Sequence, residues 1–478
     1  MCRANFKEGA EILQCLKIYG DASGQEINLQ KSSIIYGKKI EPIMKHLLGL
    51  FLGIFKEGGE GMYLGLPECF SGSKRDILAY ITTKLKTRLT GWYAKTLSLG
   101  GKEVLLKSVA MTLPVYAMSC FRLTQYQCQQ ITSAMTSFCW NSCEEHKKMH
   151  WVSWEKMCRT RKEGGLGFRD IGDFNQALLA KQAWRLLTQP TSLLARVYKA
   201  RYYNQKGFLD ALIGSRPSYA WRSIIHGRDL LAKGLMKNIG DGLSTNVWLE
   251  KWIFDKVPRR PFNKQSLFDL DLMVSNLITP QGSWNHGLLS ELFLPLDVVR
   301  IMSYPPNVLS RDSYIWAYNR DGCYTVKSGN WLLSQLKHAP PQLSQREQET
   351  KQLKAKIWDV KTTPKIKMFL WRTLSGALAV SDCLRAHGMN INLGCDLCQH
   401  DRETISHTLF HCWPAREVWE MSDMPRPTQG FTNSISDNLE FVLKAMENVS
   451  IPSNVRMAIP WFLWGLWKHR NKILYAGH

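Results

Sequence analysis

The chain has 478 residues and a formal net charge of +22, from 62 Lys+Arg against 40 Asp+Glu. A hydrophobic content of 45% and eighteen tryptophans exclude a disordered polymer, and the cation surplus points to a polyanionic partner, nucleic acid first. No apolar run reaches the roughly 20 residues of a membrane span, and thirteen scattered cysteines argue for a reducing, intracellular setting over a disulfide framework.

The first residues, M-C-R-A-N-F-K-E-G-A, contain no apolar leader segment. Residues 5–20 place Ile12, Leu13, Leu16 and Tyr19 on one helical face that stops at Gly20. Ile34-Ile35-Tyr36 and residues 61–67 read as short strands. Residues 74–109 form the most basic helical stretch, with Tyr80, Trp92 and Tyr93 interleaved. Its Lys84, Lys86, Arg88, Lys95, Lys102 and Lys107 are candidate phosphate contacts, since such a surface tracks a backbone while aromatics stack on bases. The competing reading for any single lysine is a solvated helical face over an ordinary core.

Residues 110–160 are helical and rich in aromatics. The basic, glycine-rich run Arg159–Gly167 matches neither G-x-x-x-x-G-K-[ST] nor G-x-G-x-x-G, so it reads as a turn into the amphipathic helix of 174–187. Asp170 and Asp173 flank that start and suit N-capping, while Asp241 between two glycines suits a turn; no catalytic residue is assigned. Helix continues over 190–236. V-W-L-E-K-W-I-F at 247–254 reads as part of a small strand-and-turn module, and the Pro- and Leu-rich 255–310 as an irregular connector. N-R-D-G at 319–322 predicts a hairpin between Tyr314–Trp316 and Cys323–Val326. A helix over 327–336, an exposed linker over 338–352 and a basic helix pair over 364–386 follow.

Cys395 and Cys398 then stand three positions apart, with His407 and Cys412 close behind. A C-x2-C turn supplies two soft ligands from one tight loop, and the later pair can return to complete a tetrahedron. Such a Cys3His set is closed: it fits structural Zn2+ and leaves no position for a catalytic water. His411 lies four residues after His407, on the same face of a helix, and competes with Cys412 for the fourth place. The Trp-rich helix near the C-terminus has a packing face and no evident partner in the chain.

Several ordered stretches resemble one family. They are S-G-Q-E-I-N-L-Q-K-S (23–32), Y-L-G-L-P (63–67), G-G-K-E-V-L-L-K-S-V-A (100–110) and H-W-V-S-W-E-K (150–156), then G-G-L-G-F-R-D-I (164–171), N-Q-A-L-L-A-K-Q-A-W-R-L-L (175–187) and C-x2-C-x8-H-x4-C. Together they are similar to the C-terminal part of the reverse transcriptase of plant non-LTR (LINE-type) retrotransposons. The resemblance makes Cys395, Cys398, His407 and Cys412 the zinc ligands. It implies a mainly α fold with small β elements: a residual palm end and thumb start (1–70), a basic helical thumb/connection region (71–236), a strand-turn module and connector (237–310), a zinc-binding domain (311–422), and a linker with the C-terminal helix (423–478). The family's Y-x-D-D turn, whose aspartates hold two Mg2+ ions, occurs nowhere in the sequence. The resemblance therefore implies zinc binding and nonspecific RNA or DNA binding without polymerase or RNase H chemistry, in an intracellular compartment with the nucleus as one option. The alternatives are a fragment of an active RNA-directed DNA polymerase and a helical interaction protein with a zinc knuckle. The sequence is silent on oligomeric state.

Overall fold

The structure is a computed structural model that describes residues 2–37, 39–58, 62–63, 66–67, 78–93, 97–141, 148–264, 269–337 and 344–475. It is mainly α with small two-stranded antiparallel ribbons, as the sequence indicates. The chain divides into two compact units, Met1–Tyr80 and Ile81–His478.

In the first unit, α1 (Phe6–Ser23) begins where the Asn5 side chain accepts the Glu8 N–H at 2.8 Å. The helix passes through Gly20 and ends at Gly24, because Gly24, with φ 68°, makes the left-handed cap. Leu13, Leu16 and Tyr19 on its apolar face are exposed. Phe6 meets Phe51 of α2 (Pro42–Leu52) edge-on at 5.4 Å. The strand expected at 34–36 is reduced to a single bridge between Ile34 and Glu57, while β1 (Met62–Tyr63) and β2 (Leu66–Pro67) pair antiparallel.

The second unit opens with α3 (Ala79–Tyr93), whose Ile81, Leu85 and Leu89 are buried. α4 (Leu99–Leu105) runs into a π-turn over Leu106–Ala110, followed by α5 (Val115–Cys120), α6 (Gln125–Trp140) and α7 (Trp154–Cys158). The hub is α8 (Ile171–Thr188), N-capped by Asp170, whose carboxylate accepts the Asp173 N–H at 2.9 Å. Its Ala177, Ala180 and Ala183 are fully buried, so neighbours approach closely on that side. α9 (Leu193–Tyr202) and α10 (Tyr219–Gly234) close the core, with Trp221 stacked flat on Tyr202 at 4.7 Å. Asn175 fixes the α5–α6 corner: its amide donates to the carbonyls of Met118 and Phe121 and its oxygen accepts the Leu123 N–H.

The α8–α10 crossing depends on Gly227, where a Cβ would lie 2.3 Å from the Leu179 carbonyl carbon. The obstacle is backbone, which no rotamer change relieves. Gly227→Ala is therefore expected to lower stability by about 3 kcal/mol in urea denaturation. A loss below about 0.5 kcal/mol, the level of an unremarkable surface change, would show that the two helices part freely.

Leu235 and Met236, read from sequence as the end of a helix, instead open strand β3 (Leu235–Asn238), antiparallel to β6 (Ser313–Trp316). The indole of Trp316 fills the space beside Gly234, so α10 ends there and the chain leaves as a strand. Between the two strands, the described residues of 255–310 form a packed module, not an irregular connector. β4 (Ile253–Phe254), β5 (Pro258–Arg259), α11 (His286–Leu292) and α12 (Pro295–Met302) surround a core of Val247, Trp252, Val274, Leu277, Leu289 and Phe293. The prolines misled because Pro295 occupies the first turn of α12, where a missing N–H breaks no helical bond. Asp312 ties the module's neck, accepting from the N–H groups of Gly240, Gly242 and Ser244 and from the Thr245 hydroxyl.

The turn at 319–322 closes, with the Gly322 N–H donating to Asn319 O at 3.1 Å, but no second strand follows it to make a hairpin. The Trp316 N–H donates to Gly322 O at 2.7 Å, and Tyr324 turns inward to donate its hydroxyl to Ala177 O at 2.8 Å. α13 (Val326–Lys337) then packs on α8. Within the expected linker, residues 345–352 are helical: α14 (Gln345–Ile357) starts with a Ser344–Glu347 capping box. α15 (Pro364–Leu374) and α16 (Ser381–Ala386) lead to the cysteine cluster, and α17 (Trp413–Met421), α18 (Ile435–Glu447) and α19 (Ser453–Tyr475) follow it. The Trp-rich α19 does have partners within the chain: Trp464 meets Phe369 of α15 at 5.2 Å, and Phe462 meets Trp419 of α17 at 4.6 Å. Among the described residues, no helix is long and apolar enough to cross a membrane.

Candidate metal centre

Cys395, Cys398, His407 and Cys412 converge, with one potential ligand atom from each lying within 4.8 Å of all the others. The Cys395 and Cys412 sulfurs are 3.7 Å apart, and Cys398 Sγ lies 3.2 Å from His407 Nε2. A tetrahedron with Zn–S bonds of about 2.3 Å has S···S edges of about 3.8 Å, which the Cys395–Cys412 separation matches. That separation is far too long for a disulfide, whose S–S bond is about 2.05 Å.

Two local devices build this geometry. In the first, the Cys395 N–H donates to His400 O at 2.8 Å and the Gln399 N–H to Cys395 O at 2.8 Å, closing the C-x2-C loop. The loop requires φ of 59° at Gln399, the one non-glycine residue in the left-handed region among those described. The second device is a π-turn over His407–His411. In a regular α-helix, residues five apart sit about 140° from one another, so a His-x4-Cys pair would diverge. Here the Cys412 N–H donates to His407 O at 2.7 Å, an i to i+5 bond that brings the two ligands together. His411, which an α-helical reading would favour, points elsewhere: its Nε2 sits 2.9 Å from Thr432 O.

The electrostatics suit a cation. Burial pushes the Cys395 thiol up, and burial followed by the adjacent Cys395 does the same to Cys412. For Cys398, burial acts upward, but the His400 and Trp413 N–H groups and the two neighbouring thiols outweigh it and the net shift is down. Burial, then His400, moves the His407 imidazole down, which favours the neutral ligand form. Three thiols this close cannot all ionise without a compensating positive charge, which a bound Zn2+ supplies. With four protein ligands the site is closed, so the ion holds the loop and the π-turn together and activates no water.

A buried ion pair anchors the centre to the C-terminal helix. Arg470 of α19 donates to Glu403 with Nη2 at 2.7 and 2.8 Å and Nε at 2.9 Å, and both side chains are almost fully buried. Glu403 also accepts the Ser381 N–H and hydroxyl at 3.0 Å, capping the α16 end of the module. Sequence reasoning passed over this pair. The available signal was a single cation within an apolar stripe: Ile459, Leu463, Leu466, Trp467 and Arg470 are all buried.

The candidate phosphate contacts separate into three groups. Lys84, Lys86 and Arg88 are exposed on α3, on the flanks of its buried face. Lys102 is not on that surface: it is buried and donates to Asn141 O, and burial lowers its ammonium pKa, with Cys139 acting against the shift. Lys107 is likewise engaged, paired with Glu103 at 2.6 Å and donating to Leu166 O. Both were misread because the groups that hold them, Asn141 O and Leu166 O, are distant in sequence. Lys95 lies outside the described residues.

Comparison with known proteins agrees with this centre. Residues 335–419 match the family described as zinc-binding in reverse transcriptase. An uncharacterised mitochondrial protein of Arabidopsis thaliana is 56% identical over 154 residues, 32% of this chain and 100% of that protein. A putative ribonuclease H protein of the same plant is 27% identical over 363 residues, 75% of this chain and 57% of that protein. Residues 335–419 thus belong to the family that is zinc-binding in reverse transcriptase, and the chain is similar to these two plant proteins.

Proposed function

We propose that this chain is a nonspecific nucleic-acid-binding region ordered by one structural zinc on Cys395, Cys398, His407 and Cys412, and that it performs no polymerase or RNase H chemistry itself. The supporting observation is the exposed cationic row of α3. Lys84 and Arg88 form a row one turn apart along one flank of the buried Ile81, Leu85 and Leu89, and Lys86 is exposed on the other flank. On a protein of net charge +22, such a row supplies affinity by releasing counterions from phosphates. The non-catalytic part of the reading is supported by the lack of a Y-x-D-D in the sequence and by the structural work of nearby carboxylates, Asp170 as a cap and Asp312 as a clamp.

A labelled duplex titrated by fluorescence anisotropy over a range of salt tests this. Affinity should fall steeply with salt, and Lys84→Glu/Lys86→Glu/Arg88→Glu should reduce the log–log slope by about 2 to 3. A flat salt dependence in the parent protein would refute the binding reading. A second reading, a non-catalytic section of a longer RNA-directed DNA polymerase, is favoured by the 57% coverage of the ribonuclease H-named relative. Under both readings the purified chain extends no primer, and extension would overturn the non-catalytic assignment.

A further inference from the structure

Beside the zinc centre lies an open groove of about 1200 Å³, reached by the ligands Cys398 and His407 from below and lined by His400, Arg402, His411, Trp413, Arg416 and Arg426. We propose that it binds single-stranded nucleic acid, with Trp413 as a stacking platform for a base and Arg416 and Arg426 as contacts to the flanking phosphates. This rests on the nucleic-acid reading above but uses a different surface from α3.

Three features carry the inference. The first is charge. Three arginines line the groove against Glu420, the one carboxylate among its described lining residues. Arg402 is engaged with Asp382 at 2.6 Å, whereas Arg416 and Arg426 have no carboxylate partner among the described residues and remain available to an anion.

The second is the platform. Trp413 is 62% exposed, although it directly follows the buried ligand Cys412. Arg416 stands three residues later on the same helical face, a spacing that sets a guanidinium beside the indole. Bases in a duplex are stacked on one another and unavailable to an indole, so a platform with adjacent cations selects unpaired strands.

The third is rigidity. The far wall is held by Phe431, packed on Phe410 at 4.6 Å and on Trp419 at 4.9 Å. Thr432 is tied to Asn438, to the Ser406 hydroxyl at 3.0 Å and to His411 at 2.9 Å. The near wall is the zinc-ordered turn itself. A groove fixed on both sides loses little entropy on binding.

The test uses the full, zinc-loaded chain and labelled oligo(U), oligo(dT) and duplex probes of equal length in anisotropy titrations. Trp413→Ala should weaken both single-stranded probes about tenfold, the scale of one lost base stack, and leave the duplex unchanged. Trp413→Phe should recover most of that loss, which a purely structural role would not require. Arg416→Glu/Arg426→Glu should lower the single-strand salt slope by about 1.4. A weaker effect on oligo(dT) than on oligo(U) would assign the groove to RNA, and equal effects to either strand type. If both groove variants bind single strands like the parent while the α3 triple variant still weakens the duplex, the groove proposal fails and the basic-helix reading stands. If the parent binds no probe, both fall.

Discussion

The purified protein is expected to carry about one zinc per chain, with Cys412→Ala losing it and His411→Ala keeping it. Elemental analysis after desalting distinguishes the two outcomes directly. The asymmetry follows from the π-turn: the i to i+5 bond turns the Cys412 sulfur toward Cys395 at 3.7 Å, while the His411 ring bonds the Thr432 carbonyl. Losing that single strut should cost about 1 kcal/mol, the ordinary worth of one hydrogen bond. Losing the ion should cost far more, because structural zinc supplies about 10–16 kcal/mol to small peptide modules at neutral pH. Part of that is retained here, since Phe410, Trp419 and Phe431 give the module an apolar core of its own. Chelation should therefore loosen the span from Cys395 to Cys412 without unfolding α8 and its partners, as hydrogen exchange would register. Zinc retained by Cys412→Ala and lost by His411→Ala would reverse the ligand assignment.

The sequence made the ligand set legible because metal ligation depends on residue type and short spacing, both local properties. It left His411 and Cys412 unresolved, because the choice depends on whether the turn is α or π, and no residue in H-T-L-F-H declares that. The basic stretch was legible only in part. Residues Lys84 to Arg88 follow a regular helix, so periodicity gives their exposure correctly. Lys102 and Lys107 belong to a helix that changes pitch, and their partners, Asn141 and Leu166, are distant in sequence. The 255–310 module was hidden for a related reason. Its core is assembled from short elements, each below the length at which periodicity is diagnostic, and Pro295 sits at a helix start where it is harmless. Long helices with strong patterns, such as α8 and α13, were read nearly to their ends.

Glu403→Ala is expected to lower the stability of the zinc-bearing region by about 3–5 kcal/mol, the usual range for removing one partner of a buried ion pair. The figure is set mainly by what is left behind. Arg470 is only 5% exposed, and without the carboxylate its guanidinium stays in the interior with three charge-assisted bonds unmade. Ser381 loses its acceptor as well, which frays the start of α16. The pair itself need not be stabilising relative to an apolar substitute, because burying two charges carries a desolvation penalty that their attraction only offsets. Replacing both, as Glu403→Leu/Arg470→Met, should therefore recover most of the loss seen in either single variant. Urea denaturation of the two singles and the double gives the coupling directly, and a coupling below about 0.5 kcal/mol would mean the two side chains do not interact in solution. Because Glu403 lies in the loop between Cys398 and His407, the single variant should also release zinc to a chelator faster than the parent. The double variant, with the loop again packed against α19, should hold it nearly as long.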